Sequence, residues 1–281
     1  MSDSTLYILI QIVFGGFILA YLAGIVIYAV ALSRKKTKEE LFAAGKTLRV
    51  MGIILMGITA LFTIAGGLGT TCVAINPTGF GESMAPLAPF QWLYIIFVIV
   101  TTAIGIMAAR AVVLLAKGRP NSYRYAIIAL VLGIAIGVIH MVVSRSLRGK
   151  SMPVDGVVYT TVLTLIVFLI YRIPKIWQGV DYTSAGRSDD NTPMAVPITL
   201  FITGLLTLTV QHWVGPTHTW DGTNWAATFL VTSTMLGLGQ IFGGTALLVA
   251  PRLNVAGQFE PRRPQRKIKN GLTASRRIVQ D

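Results

Sequence analysis

Seven stretches of this sequence run on almost without charge, and nothing else in it constrains folding as strongly: Leu6–Leu32, Val50–Ile75, Gln91–Ala116, Tyr125–Val143, Val157–Tyr171, Met194–Val214 and Trp225–Ala250. Arg110 is the only charged residue in any of them. All but the fifth reach the roughly 18 residues that separate a spanning helix from a buried core helix. A barrel strand would alternate apolar and polar positions over about ten residues. These runs are continuous, so they read as helices that satisfy their own backbone inside lipid.

Composition agrees. Of 281 residues, 53% are hydrophobic and 12% charged, more apolar surface than one soluble core of this size can bury. The expected fold is all-α, a polytopic membrane protein of about seven transmembrane helices. Residues 1–250 form the bundle and 251–281 a basic, disordered tail. The first run has no basic n-region and is too long for a signal-peptide core, so it reads as a retained helix.

The formal charge of +13 is distributed unevenly. Arg34, Lys35, Lys36, Lys38, Lys46 and Arg49 follow the first run, and Lys117, Arg119 and Arg124 follow the third. Arg172, Lys175 and Arg187 follow the fifth, and eight basic residues fill the tail. With the N-terminus outside and the C-terminus cytoplasmic, 20 of these charges lie inside and only Arg145, Arg148 and Lys150 outside, as expected of a multi-pass plasma-membrane protein. Trp92, Trp213, Trp220 and Trp225 then border the outer face. Charge confined to loops argues against nucleic acid as a partner. The tail suits anionic lipid headgroups.

No phosphate loop, dinucleotide fingerprint, zinc-protease helix or nucleophile elbow occurs. None of the 11 acidic residues falls within the seven runs, which disfavours a proton- or sodium-coupled carrier. The last run has no lysine for a retinal Schiff base. The single cysteine, Cys72, forms neither an intrachain disulfide nor a thiolate metal site. Gly133/Gly137, Gly239/Gly243 and the cluster Ala65, Gly66, Gly67, Gly69 are expected helix contacts. Arg110 is expected to snorkel or to pair.

Three histidines remain. Counting about 1.5 Å per residue to the outer ends of the fourth and sixth runs places His140 and His212 at one depth. Two facing imidazoles there would ligate a haem iron axially, with Arg145 and Arg148 above them for the propionates. Quinol or copper are the other His-dependent ligands, and plain interfacial anchoring is the simplest role. The stretch Gln211–Asp221, with His212, His218 and Asp221, is a weaker metal candidate than an aromatic belt. Three histidines cannot ligate two bis-His haems. The leading expectation is a membrane subunit of a larger respiratory or electron-transfer assembly, associated with other membrane subunits, holding a haem b or quinone near the outer face. A small-solute transporter or channel, and a scaffolding or receptor-like subunit, are the alternatives.

A peptide spanning 251–281 is expected to bind anionic vesicles at low salt, with about 1 kcal/mol from each Lys or Arg near the surface, and to release at high salt. Vesicle co-sedimentation measures this; equal binding to neutral vesicles excludes an electrostatic tail.

Overall fold

The computed structural model describes residues 16, 20–21, 23–31, 34, 37–80, 82, 84–149, 151, 153–184, 194–215, 219–220 and 223–249. The tail 251–281, most of Leu6–Leu32, His218 and Asp221 lie outside the described residues. After a helical segment at 23–31, the main elements are α1 (Lys38–Gly69), α2 (Thr71–Ile75), α3 (Gln91–Ala116), α4 (Ser122–Arg148), α5 (Val154–Tyr171), α6 (Pro174–Val180), α7 (Ala195–Leu208), α8 (Val210–Trp213), α9 (Trp225–Thr228) and α10 (Leu230–Val249). Strands β1 (Thr219–Trp220) and β2 (Thr223–Asn224) form one small antiparallel hairpin. The protein is an all-α membrane protein, and five of its described helical stretches are long and apolar enough to cross a bilayer. Exposed Ile99, Ile106, Met235 and Phe242 are what lipid-facing helices present.

Helix α1 is the hub. Thr37 caps its start by accepting a hydrogen bond from the Glu40 amide. Its 32 residues extend about 48 Å, beyond the roughly 30 Å hydrocarbon core. The overhang is the basic stretch Lys38–Arg49, which packs on α6. There Arg49 is fully buried, and its Nε and Nη2 donate to the carbonyls of Val180 (2.7 Å) and Gly179 (3.3 Å). A guanidinium thus caps the last carbonyls of α6 and meets the negative end of its dipole. Tyr171 and Tyr182 fill the space left by Gly52, one turn further along α1. Burial first, and then the Tyr123 phenol, push the Tyr182 hydroxyl well above the usual tyrosine range against the opposing pull of Arg49.

Along the rest of α1, small residues admit the neighbouring helices. Gly57 receives Thr199 of α7, Gly66 receives Val157 of α5, and Gly67 receives Thr102 of α3. Gly133 and Gly137 of α4 seat Thr161 and Val158 of α5. Thr59 and Thr164 share the hydrogen bond that joins α1 to α5 at mid-bundle (2.6 Å). Such bonds contribute only about 0.6 kcal/mol on average within membranes, so close packing carries more of the stability. Helix α10 rests mainly on α7, where Gly237 meets Gly204 and Gly244 meets Pro197. The expected pair Gly239/Gly243 is corrected: neither position meets another helix among the described residues. Gly69 is likewise open, and Ala65 is exposed.

Two runs are interrupted. The sixth breaks at Thr209 and the seventh at Phe229. Around the first break, Thr203, Thr207 and Thr209 all donate back to carbonyls three or four residues earlier, which bends helices. Arg110 sits over the Tyr125 ring at 5.6 Å, a cation–π contact, and has no ion pair among the described residues.

Gly45 and Gly179 touch backbone to backbone, so a methyl group on Gly45 collides with the Gly179 carbonyl. Gly45→Ala is expected to cost about 1–3 kcal/mol through overpacking. Gly239→Ala, in open space, is neutral or gains up to about 1 kcal/mol of helix propensity. Thermal melts of the two variants in detergent check this; equal melting temperatures contradict the close contact.

Candidate functional site

The last three turns of α4 carry His140, Ser144 and Arg148 at four-residue intervals, and this spacing stacks them on one face. That face meets the first two turns of α3, where Tyr94 and Phe97 lie three residues apart. His140 is buried, stacked on Phe97 (centroids 4.4 Å, 17°) and edge-on to Tyr94 (5.3 Å, 83°). The Tyr94 hydroxyl and Ser144 Oγ are hydrogen-bonded at 2.8 Å. One turn beyond, the half-buried Arg148 has an Nε with no acceptor among the described residues.

Arg145 faces the other way. Its Nε donates to Ser151 Oγ at 2.9 Å, and its Nη2 pairs with Asp155 Oδ2 at 3.2 Å. The Ser151 hydroxyl donates to the other Asp155 oxygen. Asp155 is buried in the first turn of α5, where a carboxylate is favoured by the helix dipole. The reading that no acidic residue lies within a span is therefore corrected: α5 begins at Val154 behind Pro153 and includes Asp155. The positive fourth loop is corrected as well, because Arg145 and Arg148 belong to the last turn of α4 and Arg145 is neutralised by Asp155.

On its other side His140 lines a cavity of about 20 Å³ with Thr63, Thr101, Gly133, Gly137 and Val157. This is room for about one water molecule within reach of hydroxyl and imidazole groups. His140 itself has no hydrogen-bond partner among the described residues.

The structure does not bring His140 and His212 together. His140 sits eight residues from the end of α4, about 12 Å deep. His212 is exposed in the short α8, one residue from its end, beside Gln211. Helix α4 packs on α3 and α5, whereas α8 continues α7, which packs on α1 and α10. The equal-depth estimate failed because α4 extends past Val143 to Arg148 while the sixth run breaks at Thr209. The residues present do not fit a bis-imidazole haem, since His212 is on the surface of a helix that does not pack on α4. Among the described residues no three His, Cys, Asp or Glu side chains cluster for a metal.

Tyr94, Phe97, Ser144 and Asp155 are the site residues that sequence reasoning missed. Ser144 had a readable signal in its four-residue spacing between His140 and Arg148. An aromatic pair inside an apolar run had none. No known protein family, characterised protein or solved structure matches this chain.

Ser144→Ala strands a buried phenol and is expected to cost about 1–3 kcal/mol. Tyr94→Phe is expected to cost about 0.5–1.5 kcal/mol, because the Ser144 hydroxyl can turn back to the His140 carbonyl at i−4. Melting temperatures rank the two, and the reverse order contradicts the geometry.

Proposed function

We propose that this chain is a seven-span, plasma-membrane subunit of a larger electron-transfer assembly that binds a quinone headgroup, not a haem, at the His140–Arg148 end of the bundle. The observation that carries the reading is the buried Nε of Arg148, a donor without an acceptor among the described residues, on the same helix face as His140. A quinone carbonyl is a neutral acceptor that suits such a donor, and it demands no counter-ion. Phe97 and Tyr94, both buried, pack on His140 and shield this end of α4 from lipid, so a headgroup would reach the Arg148 donor from the rim. A solute passage has less support. The α1–α5 core between Thr164 and Tyr171 is closed by Met56 and Val167, both fully buried. The threonines there donate to their own helices, apart from the bond shared by Thr59 and Thr164.

The orientation belongs to the same proposal. Lys117, Arg119, Arg172, Lys175 and the Lys38–Arg49 overhang gather at one end of the bundle, opposite Asp155 and Arg148. The positive-inside rule makes that the cytoplasmic end, with the N-terminus outside.

Two measurements test these readings. Organic extraction of protein purified from its native membrane should yield quinone. A short-chain quinone should bind the wild type saturably and Arg148→Gln at least about tenfold more weakly, about 1.4 kcal/mol. Absence of saturable binding, or equal binding by the variant, rejects the site; a Soret band restores haem. In a Cys72→Ser background, impermeant thiol reagents should label Gly222→Cys in intact cells and leave Asn270→Cys protected, and the converse pattern inverts the topology.

A further inference from the structure

The opposite end of the bundle holds a second, larger hollow that the quinone reading leaves unused. It measures about 400 Å³ and lies between the start of α4 and the turn joining α5 to α6. Residues 117–121 make a tight turn with Gly118 and Asn121 both at positive φ (59° and 63°), and this starts α4 abruptly at the floor of the hollow. Asn121 gives no side-chain cap, so the first-turn amides of Tyr123 and Arg124 have no acceptor among the described residues. The positive end of a 27-residue helix therefore meets the hollow.

Two guanidiniums line it. Arg172, at the end of α5, stacks over Trp177 (4.7 Å) and Tyr123 (5.8 Å). Stacking occupies the face of a guanidinium and leaves its N–H edge for a bidentate acceptor. Arg124 is exposed and has no ion pair among the described residues. Asp181, the one carboxylate among the described residues from Arg172 to Ser184, accepts from the Thr183 amide (3.1 Å) and hydroxyl (2.8 Å). Among the described residues none that lines the hollow is acidic, and Ser122 adds a hydroxyl. An aromatic wall, two arginines and a helix N-terminus call for an anionic group with several acceptor oxygens. The volume exceeds that of a bare oxyanion and falls within the usual range for small-molecule sites.

We infer that the hollow between Arg124 and Arg172 is a binding site for a phosphate ester, presented either as the headgroup of an anionic lipid or as a soluble phosphate compound. Its position at the basic rim, beside Lys117, Arg119 and Lys175, puts it where headgroups lie. The site is independent of the quinone proposal and is read without quinone.

The test is native mass spectrometry of the full chain in detergent, at salt high enough to strip contacts made by the basic tail. The probes are dioctanoyl phosphatidylglycerol, dioctanoyl phosphatidylcholine, glycerol phosphate and inorganic phosphate. Wild type should retain one phosphatidylglycerol at least about tenfold more tightly than phosphatidylcholine, and R124Q/R172Q should lose that preference. Both arginines are exposed, so the variant should melt like wild type. R172K, which keeps the charge but loses the stack and fork, should bind more weakly than wild type. Competition by glycerol phosphate or inorganic phosphate at concentrations comparable to the lipid makes the ligand a soluble phosphate; failure to compete makes it a lipid headgroup. Equal lipid retention by wild type and R124Q/R172Q, or no preference for any phosphate probe over phosphatidylcholine, overturns the assignment.

Discussion

Inside hydrocarbon every backbone amide and carbonyl has to find its partner within its own helix, because no water is there to accept or donate. That requirement accounts for the long apolar runs, and it limits how the helices hold one another. Lipid tails are as apolar as leucine, so burying one more leucine between helices gains little. What remains is close approach of backbones at small residues and a few polar contacts. In α1 these alternate along the helix: Gly45 against Gly179, Arg49 on the end of α6, Gly52 under two tyrosines, then Gly57, Thr59, Gly66 and Gly67. Among the described helices α3, α5, α6 and α7 each dock on α1 at one of these positions, whereas α10 rests mainly on α7.

The two ends of the bundle treat their charges differently. At the Arg49 end, one arginine is wholly internal and donates to two helix carbonyls, while Arg124 and Arg172 stay at the surface beside an open hollow. At the other end Arg145 is matched by Asp155 and Ser151, while Arg148 lies beside Tyr94, Ser144 and His140. Among the described residues the Arg148 Nε is the one buried guanidinium donor without an acceptor, and a buried donor left unpaired costs more than a paired one contributes. His140 adds a titratable group whose other side borders a cavity for about one water molecule.

The helical class, the membrane environment and most spans were legible in the sequence, because run length and absence of charge are local properties. Helix ends were less so. The fifth apolar run begins at Val157, yet its helix starts at Val154: Pro153 precedes the first turn and Asp155 favours its dipole. Lys46 and Arg49 were counted as loop residues, but they ride on α1 where it leaves the hydrocarbon. Small-residue spacing proved ambiguous in the same way. Gly133/Gly137 and Gly239/Gly243 have identical spacing, and among the described residues only the first pair faces a helix.

By itself the sequence determined that the chain is a bundle of membrane helices with basic residues gathered between alternate spans, since both follow from the cost of placing charge in hydrocarbon. It also singled out His140, Arg145 and Arg148 by their scarcity or position. Only the tertiary structure decided what surrounds them. Depth counted along one helix says nothing of which helix stands opposite, and the neighbours of α4 are α3 and α5, not the helix that carries His212. The partners of His140 are therefore Phe97, Tyr94 and a small, mostly apolar cavity, a grouping that arises from helix contacts far apart along the chain and leaves no periodic trace in the residues it joins.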